Sequence, residues 1–480
     1  MESIIDILKW ALGILHLLLV AGTAGHALLF KRDPRGSWGW IAVSLVFPLV
    51  GPLLYLLFGI NRVQTRAKRL RRHLPFLFPF RHEPPAIPLV YHPETYLPKE
   101  FLPISGISDK VTRRPLLKGN RVDVLHNGEE AYPAMLAAVE RAENTLFLAT
   151  YILESNNTGR RFIDALGRAK DRGVEVRVLL DGIGELYSFP RSEKLLAKRG
   201  VRVASFMSPT LIPPSLHINL RNHRKILVAD GRAAFVGGMN IGDRHLAADL
   251  KRASRVKDTH FRVTGPVVRQ IEEVFVDDWA FVTGEDLSPP VQVLDPAGEA
   301  VCRVVVDGPD EDLDRLAVIL AGAVSAARRR VLIVTPYFLP SREMIGALQS
   351  AVLRGVDVHV LLPEKNNLPY VHWATRNMLW ELLQWGVRVF YQPAPFVHSK
   401  ILVVDDFYVQ VGSANMDPRS LRLNFELMLE VFDRDLALRL AGFVDACRAR
   451  SKEVFLADLD SRPIHVKIRD SLAWLFSPYL

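Results

Sequence analysis

His223, Lys225 and Asp230, followed by Gly237-Gly238 and Asn240, recur as His398, Lys400 and Asp405, followed by Gly412-Ser413 and Asn415, with matching offsets from each histidine. One His-x-Lys-x4-Asp arises by accident in a long chain; two with matching tails mark a duplication. These residue types suit phosphodiester chemistry. The two non-bridging oxygens of a phosphodiester gain charge in the transition state, and Lys ammonium and Asn amide donors hold it. One imidazole attacks phosphorus and the other, protonated, hands its proton to the departing alkoxide, so that a phosphohistidine divides one hard displacement into two easier ones. Neither half carries a complete set. A metal site is the competing reading, but the two histidines are 175 residues apart, no His-x3-His or Cys-x2-Cys spacing occurs, and Lys is a poor ligand at neutral pH. No metal and no cofactor is expected.

The strands that must position these groups are written into the same segments. Residues 222–230 (NHRKILVAD) read as one strand whose period of two puts His223 and Lys225 on one face, Ile226 and Val228 on the other. Asp230-Gly231 signals a hairpin that brings Gly237 opposite Lys225 and Met239 opposite His223, leaving Asn240 beside the histidine. Residues 398–405 repeat the pattern and turn at Asp405-Asp406. Gly238 and Ser413 are small enough to leave room for a substrate, with Asn240 and Asn415 as its ligands. Asp230 and Asp405 stand at the turns; within the catalytic set they are expected to orient the Lys and fix the hairpin, without proton transfer.

The paired motifs resemble those of the phospholipase D superfamily, which transfers phosphodiesters without a metal. Asp307-Gly308-Pro309, Thr335-Pro336-Tyr337-Phe338, Asp417-Pro418-Arg419-Ser420, Asn424-Phe425-Glu426 and the closing Ser477-Pro478-Tyr479-Leu480 extend the resemblance to bacterial cardiolipin synthases, over nearly the whole chain. The resemblance implies a carboxylate downstream of each motif that orients the catalytic imidazole through its second ring nitrogen. Asp258 and Glu426 occupy those positions. It also implies His223 as nucleophile and His398 as general acid. His217 and His260 read as structural.

Around the motifs each half alternates strand and helix. A strand-like 146–152 precedes a helix ending in Arg172-Gly173 and then a strand at 174–180; 331–338, Arg354-Gly355 and 356–362 repeat this, and Arg199-Gly200 and Trp385-Gly386 open a further strand in each half. The fold class that follows is α/β: two phospholipase D-like domains related by pseudo-twofold symmetry, with the site between them, behind an N-terminal transmembrane helical hairpin. The expected divisions are 1–61 for the hairpin, 62–104 for a basic juxtamembrane segment and Pro-rich linker, 105–290 for the first domain and 291–480 for the second.

Residues 10–30 carry no charge over a length that spans a bilayer core of roughly 30 Å. A second apolar run, 37–60, is interrupted by Pro48, Gly51 and Pro52, which suits a kinked span or a re-entrant piece. The leader lacks a basic start and a second apolar run follows at once, so two helices are expected and not a cleaved signal. Arg62, Arg66, Lys68, Arg69, Arg71 and Arg72 then outweigh Lys31, Arg32 and Arg35 against Asp33, which puts the N-terminus and the catalytic domains on the cytoplasmic side of the cell membrane. This cluster supplies much of the net charge of +9 and suits anionic headgroups. Two cysteines exclude a disulfide framework.

The expected activity is transfer of a phosphatidyl group between two phosphatidylglycerol molecules with release of glycerol; the expected partners are phosphatidylglycerol, other anionic phospholipids and the bilayer. Water as acceptor would make a hydrolase of the phospholipase D kind. A nuclease has the basic charge in its favour, yet that charge is largely juxtamembrane and a membrane hairpin is poor equipment for a nucleic-acid enzyme, so no nucleic acid is expected. A lipid-binding scaffold would suit decayed motifs, and both are intact. Activity is expected to be bell-shaped against pH, one histidine neutral and the other charged.

Overall fold

A computed structural model describes residues 2–31, 34–60, 90, 92–207, 210–211, 214–215, 220–251, 254–289, 294–308 and 314–477. The basic cluster 62–72, the linker prolines from Pro75 to Pro88, His217 and the closing Pro478-Tyr479-Leu480 lie outside these residues, as does the expected domain division at 290–291. The chain forms two units, Met1–Arg69 and Leu70–Leu480.

In the first unit the helix Glu2–Phe30 starts eight residues before the uncharged run, taking in Asp6 and Lys9, which pair at 3.1 Å. Its stretch Ile4–Phe30 is the one described helix long and apolar enough to cross a membrane. The second apolar run is not a single span. It divides into a helix Pro34–Val46, a short helix Val50–Leu54 and a π-turn Tyr55–Gly59, with Leu49 at φ 62° between the first two. Thirteen helical residues cover about 20 Å, short of a bilayer core. The pieces return along the first helix: Ser37 Oγ donates to the Ala27 carbonyl at 3.2 Å, and His26 Nδ1 lies 2.7 Å from the Tyr55 hydroxyl.

The second unit is built on one long mixed sheet. Its strands are β1 (Leu117–His126), β2 (Thr145–Thr150), β3 (Glu175–Asp181), β4 (Arg202–Phe206), β5 (Ile226–Ala229), β6 (Ala233–Gly237) and β7 (Thr259–Thr264), then β8 (Ala300–Asp307), β9 (Arg330–Val334), β10 (Asp357–Pro363), β11 (Arg388–Gln392), β12 (Ile401–Val404), β13 (Tyr408–Gly412), β14 (Asn424–Phe432) and β15 (Lys452–Val454). Their spatial order is β15-β11-β10-β9-β12-β13-β14-β8-β1-β7-β6-β5-β2-β3-β4. Read outward from the antiparallel pair β8/β1, both directions repeat one topology, so each strand of the first half has its counterpart seven places on.

Continuous apolar runs make the central strands because helices cover both faces. Leu146 and Leu148 join the cluster under the helices Asn127–Arg141 and Asn157–Asp171, while Phe147 between them stacks on Phe275 of the helix Val268–Thr283 at 4.9 Å. Gly173, Gly200, Gly355 and Gly386 each take φ between 69° and 94° where a helix stops and a strand begins, the left-handed position that favours glycine.

The segment 97–116, which a division at 105 cuts, contributes to the core of the second half. Leu97, Phe101, Ile104 and Leu116 join the cluster that contains Leu316, Ile319 and Leu320. Beneath it Arg303, fully buried, pairs with Glu430 at 2.9 Å and with Asp109, and Glu430 also accepts from Ser108 Oγ at 2.7 Å and Tyr408 at 3.0 Å. A buried guanidinium so satisfied fixes the position of the helix Leu102–Thr112; truncating one member would strand the others, at about 3–5 kcal/mol.

Candidate active site

The motif segments are not the continuous strands their alternation suggests. The ladder is interrupted at His223–Lys225 and at His398–Lys400, because the preceding residues leave their own half. Arg221–Asn222 pairs in parallel with Asn424–Phe425, and Phe396–Val397 pairs in parallel with Val256–Lys257. The next bond in each bridge is made by the histidine itself: His223 N donates to Phe425 O at 2.9 Å and His398 N to Lys257 O at 2.7 Å. The chain then bends into β5 or β12. The hairpin register is the expected one, with Ile226 opposite Val236 and Ile401 opposite Val411; the pairs Gly237–Lys225 and Met239–His223 fall beyond the last bonded step.

These two bridges bring each imidazole to the carboxylate of the other half. His223 Nδ1 lies 2.9 and 3.1 Å from the Glu426 oxygens, and His398 Nδ1 lies 2.9 Å from Asp258 Oδ2. Nδ1–H donating to a carboxylate leaves the lone pair on Nε2. Ser413 Oγ donates to Glu426 at 2.5 Å and Asn424 Nδ2 at 3.1 Å. Asp258 instead accepts from Thr259 N at 2.8 Å, and the space occupied by Ser413 in one half is closed in the other: a Cβ on Gly238 would stand 2.8 Å from Asp258 Oδ1. Gly238 thus makes room for a carboxylate and Ser413 supports one.

Both lysines fold back on their own histidines. Lys225 Nζ donates to His223 O at 2.7 Å, and Lys400 Nζ donates to His398 O while lying 3.0 Å from His398 Nδ1. Asn240 Oδ1 accepts from Ile152 N at 3.3 Å, and Asn415 Nδ2 donates to Ser420 Oγ at 3.0 Å.

Asp230 and Asp405 are at the far end of the hairpin, and neither orients a lysine. Asp230 accepts from the amides of Glu143, Asn144 and Thr145, Asp405 from those of Arg328, Arg329 and Arg330, each at φ just above 50°. The motif Asp clamps the turn to the start of the neighbouring strand, β2 or β9. Four strand residues lie between it and the lysine, a separation of roughly 16 Å along the strand.

The four central cations and rings are buried, and their charges are adjusted accordingly. Burial lowers His223 to about 4 despite Glu426, and burial with Lys400, Lys225 and His223 holds His398 well below the usual imidazole range. Burial also lowers Lys225 to about 7 and Lys400 to about 8, against the pull of Glu426 and Asp258. Burial would raise Glu426, but His223, Lys225 and the Ser413 hydroxyl outweigh it and keep it ionised. For both rings burial is the main cause, and the charges of Lys225 and Lys400 add to it.

Further residues join the site. Tyr151 stands edge-on to His223 at 5.2 Å, and Tyr337, of the stretch Thr335-Pro336-Tyr337-Phe338, to His398 at 6.4 Å. Thr259 and Ser399 bridge the halves at 2.9 Å. His245 is buried with no hydrogen bond to either ring nitrogen, close enough to Asp258 and His398 to feel both, and burial lowers it to about 3. Its signal was positional: it follows Asn240 by the interval at which Ser420 follows Asn415. His260 is buried in β7 opposite Gly237, and burial lowers it to about 4, with Asp258 and Lys225 close enough to act on it.

The family model described as "Cardiolipin synthase, PLD-like domain" matches residues 135–279 and 320–446, and one described as "Phospholipase_D-nuclease N-terminal" matches residues 10–59. The chain is 32% identical to a cardiolipin synthase of Geobacillus kaustophilus over 98% of this chain and 94% of that one, and 31% identical to the major cardiolipin synthase ClsA of Bacillus subtilis over the full length of both. Cardiolipin synthase A of Pseudomonas putida KT2440 is 32% identical over 98% of each chain. The crystal structure of phosphatidylserine synthase from Haemophilus influenzae superposes on 78% of this chain and all of its own with a TM-score of 0.61 at 14% identity, a likeness of fold. Two copies of the domain in one chain, the apolar N-terminal unit and full-length identity above 30% make this protein a member of the cardiolipin synthase family of phospholipase D-like enzymes.

Proposed function

We propose that the protein joins two phosphatidylglycerol molecules into cardiolipin and releases glycerol. The observation that carries this reading is the reciprocal exchange between halves, His223 on Glu426 and His398 on Asp258, with the two rings and the two lysines close enough to feel one another's charge. Nε2 of His223 attacks the phosphorus of the first lipid as the bond to its glycerol headgroup breaks, and His398 gives its proton to the departing oxygen. The terminal hydroxyl of the second lipid's headgroup then returns a proton to His398 as its oxygen bonds phosphorus and the P–N bond breaks. The substrate's negative charge offsets Lys225 and Lys400, and this is what restores a proton to the acid ring before the first step. Asn240 and Asn415 supply further donors to the phosphoryl oxygens.

The N-terminal unit reads as the membrane anchor, a spanning helix Ile4–Phe30 and a returning apolar segment, with the basic cluster after residue 61 on the cytoplasmic side, where each basic residue contributes about 1 kcal/mol against anionic lipid. Anchoring keeps both lipid substrates at high local concentration. The test is purified full-length protein with phosphatidylglycerol vesicles and a chelator: cardiolipin and free glycerol should appear in equal amounts. Phosphatidic acid in place of cardiolipin would make the protein a hydrolase and overturn the transfer reading.

A further inference from the structure

The loop that follows β3 is built inside out. Its polar side chains turn inward: Glu185 and Ser188 are buried, Glu185 accepting from Glu193 N at 3.0 Å and Ser188 Oγ donating to Leu153 O at 3.1 Å. Its start is fixed by Asp181, which accepts from Ile183 N at 2.9 Å and Gly184 N at 3.0 Å, and Gly184 passes so close to Tyr151 O that no side chain fits there. The large apolar side chains stand outward instead. Leu186 and Tyr187 are each 57% exposed, and Phe189 is 97% exposed. Single exposed apolar residues are ordinary on a protein surface; a cluster of them on one braced turn, with the polar side chains turned in, marks a surface meant for an apolar partner.

This turn stands at the edge of the site. The Tyr187 ring lies 6.4 Å from that of Tyr151, which faces His223, and Tyr187 is close enough to Tyr337, beside His398, for the two to act on each other. The fold itself does not require apolar residues here. β10 is the counterpart of β3, and the residues after it are Glu364, Lys365, Asn366 and Asn367. Directly beyond the turn, residues 190–198 add Arg191, Lys194 and Lys198, all exposed, against Glu193 alone. An apolar tip flanked by cations matches the layers of an anionic leaflet, acyl chains below and phosphates above, and a tyrosine suits the level between them.

We propose that Leu186, Tyr187 and Phe189 insert into the surface of an anionic bilayer and hold the entrance of the site at the level of the lipid headgroups. A phosphodiester then reaches the histidines while its acyl chains stay in the leaflet. The inference rests on the lipid-substrate reading above and adds to it the surface through which the lipid arrives.

The experiment uses full-length protein in phosphatidylcholine vesicles, with the donor supplied either as long-chain phosphatidylglycerol within the bilayer or as water-soluble dihexanoyl phosphatidylglycerol. The N-terminal unit holds every variant at the bilayer, so insertion of the turn is read in turnover and not in partition. Leu186→Ser combined with Phe189→Ser is expected to lower the rate on the bilayer donor at least tenfold and to leave the rate on the soluble donor within twofold, which also reports folding; Phe189→Trp should retain both rates. Equal loss on the two donors, or loss on neither, overturns the insertion. A second readout needs no turnover: Phe189→Cys, carrying a fluorescent label in a Cys447→Ser background, should be quenched by spin-labelled lipid in vesicles containing phosphatidylglycerol, whereas a label quenched only by aqueous iodide overturns the insertion. Lipid quenching in a protein that makes no cardiolipin would remove the transfer reading and leave the insertion standing.

Discussion

Around His223, Glu426 collects three side-chain donors: the ring Nδ1, Ser413 Oγ and Asn424 Nδ2. Around His398, Asp258 collects the ring Nδ1 and the Thr259 amide, with Lys400 Nζ close to the same ring nitrogen. The difference follows from one methylene. The shorter carboxylate lies so near the strand opposite that only glycine fits at 238, whereas the longer one leaves room for a serine at 413 that then bonds to it. A duplicated site has diverged in matched pairs, Glu with Ser and Asp with Gly, while its geometry at the two imidazoles stayed alike. The His223 side is held by a network, and the His398 side by fit.

Removing either ring tests whether the two sides remain equal in chemistry. His223→Ala and His398→Ala should each reduce cardiolipin formation by about 10⁴-fold or more, and the double variant should be little worse than either alone, since groups acting as a unit are not additive. A single variant retaining a tenth of the activity would break the equivalence. Next in size, Glu426→Gln turns an amide toward three donors and Asp258→Asn toward two, so the first should lose about 10³-fold and the second about 10²-fold, with Glu426→Gln also the less stable by about 1–3 kcal/mol on denaturant unfolding. The reverse order would show that fit matters more than the network. Exchange of the small residues should give a similar asymmetry: Gly238→Ala, pushing on Asp258, is expected to cost about 10²-fold, and Ser413→Ala, which loses one hydrogen bond, about tenfold.

Protonation distinguishes the resting site from the loaded one. Because burial lowers both imidazoles, substrate-free protein should show neutral His223 and His398 rings by NMR at pH 6, and a phosphate analogue such as vanadate should protonate one of them. Four buried histidines, 223, 245, 260 and 398, are all lowered in this way. The unfolded chain binds their protons first, near the ordinary value of about 6.5, so the stability they contribute is complete above that pH and is lost as pH falls toward about 4. A protein equally stable at pH 7 and pH 5 would contradict their burial. The smallest effect on rate is expected at the turn: Asp230→Ala strands three amides and should destabilise by about 2–3 kcal/mol while leaving turnover per folded molecule within a few-fold.

Much of this architecture was legible in advance, because a duplicated offset is visible in any single chain. The βα alternation, the left-handed glycines after each helix and the hairpin register all follow from local rules that residues such as Gly173 and Gly355 obey. What was hidden is what depends on pairing between distant segments. Arg221–Asn222 and Phe396–Val397 are strands of two residues, too short to leave a period, yet they decide which carboxylate meets which ring. The motif Asp misled for a related reason: a turn residue looks the same whether it faces the lysine or the amides of an adjoining strand. In the N-terminal unit the prolines announced an interruption but not its outcome, a 13-residue helix followed by shorter pieces. His245 escaped because its one sign was the interval it shares with Ser420, a residue of another type, while its importance lies in where Asp258 and His398 stand.

The crossing of ring and carboxylate also governs how the enzyme fails. A fragment that ends before Ala300 possesses a histidine lacking its acid and an acid lacking its histidine, and the complementary fragment possesses the converse, so neither retains half a machine. Any slip of one half against the other breaks both couples together. Closure of the seam therefore completes both couples in a single event.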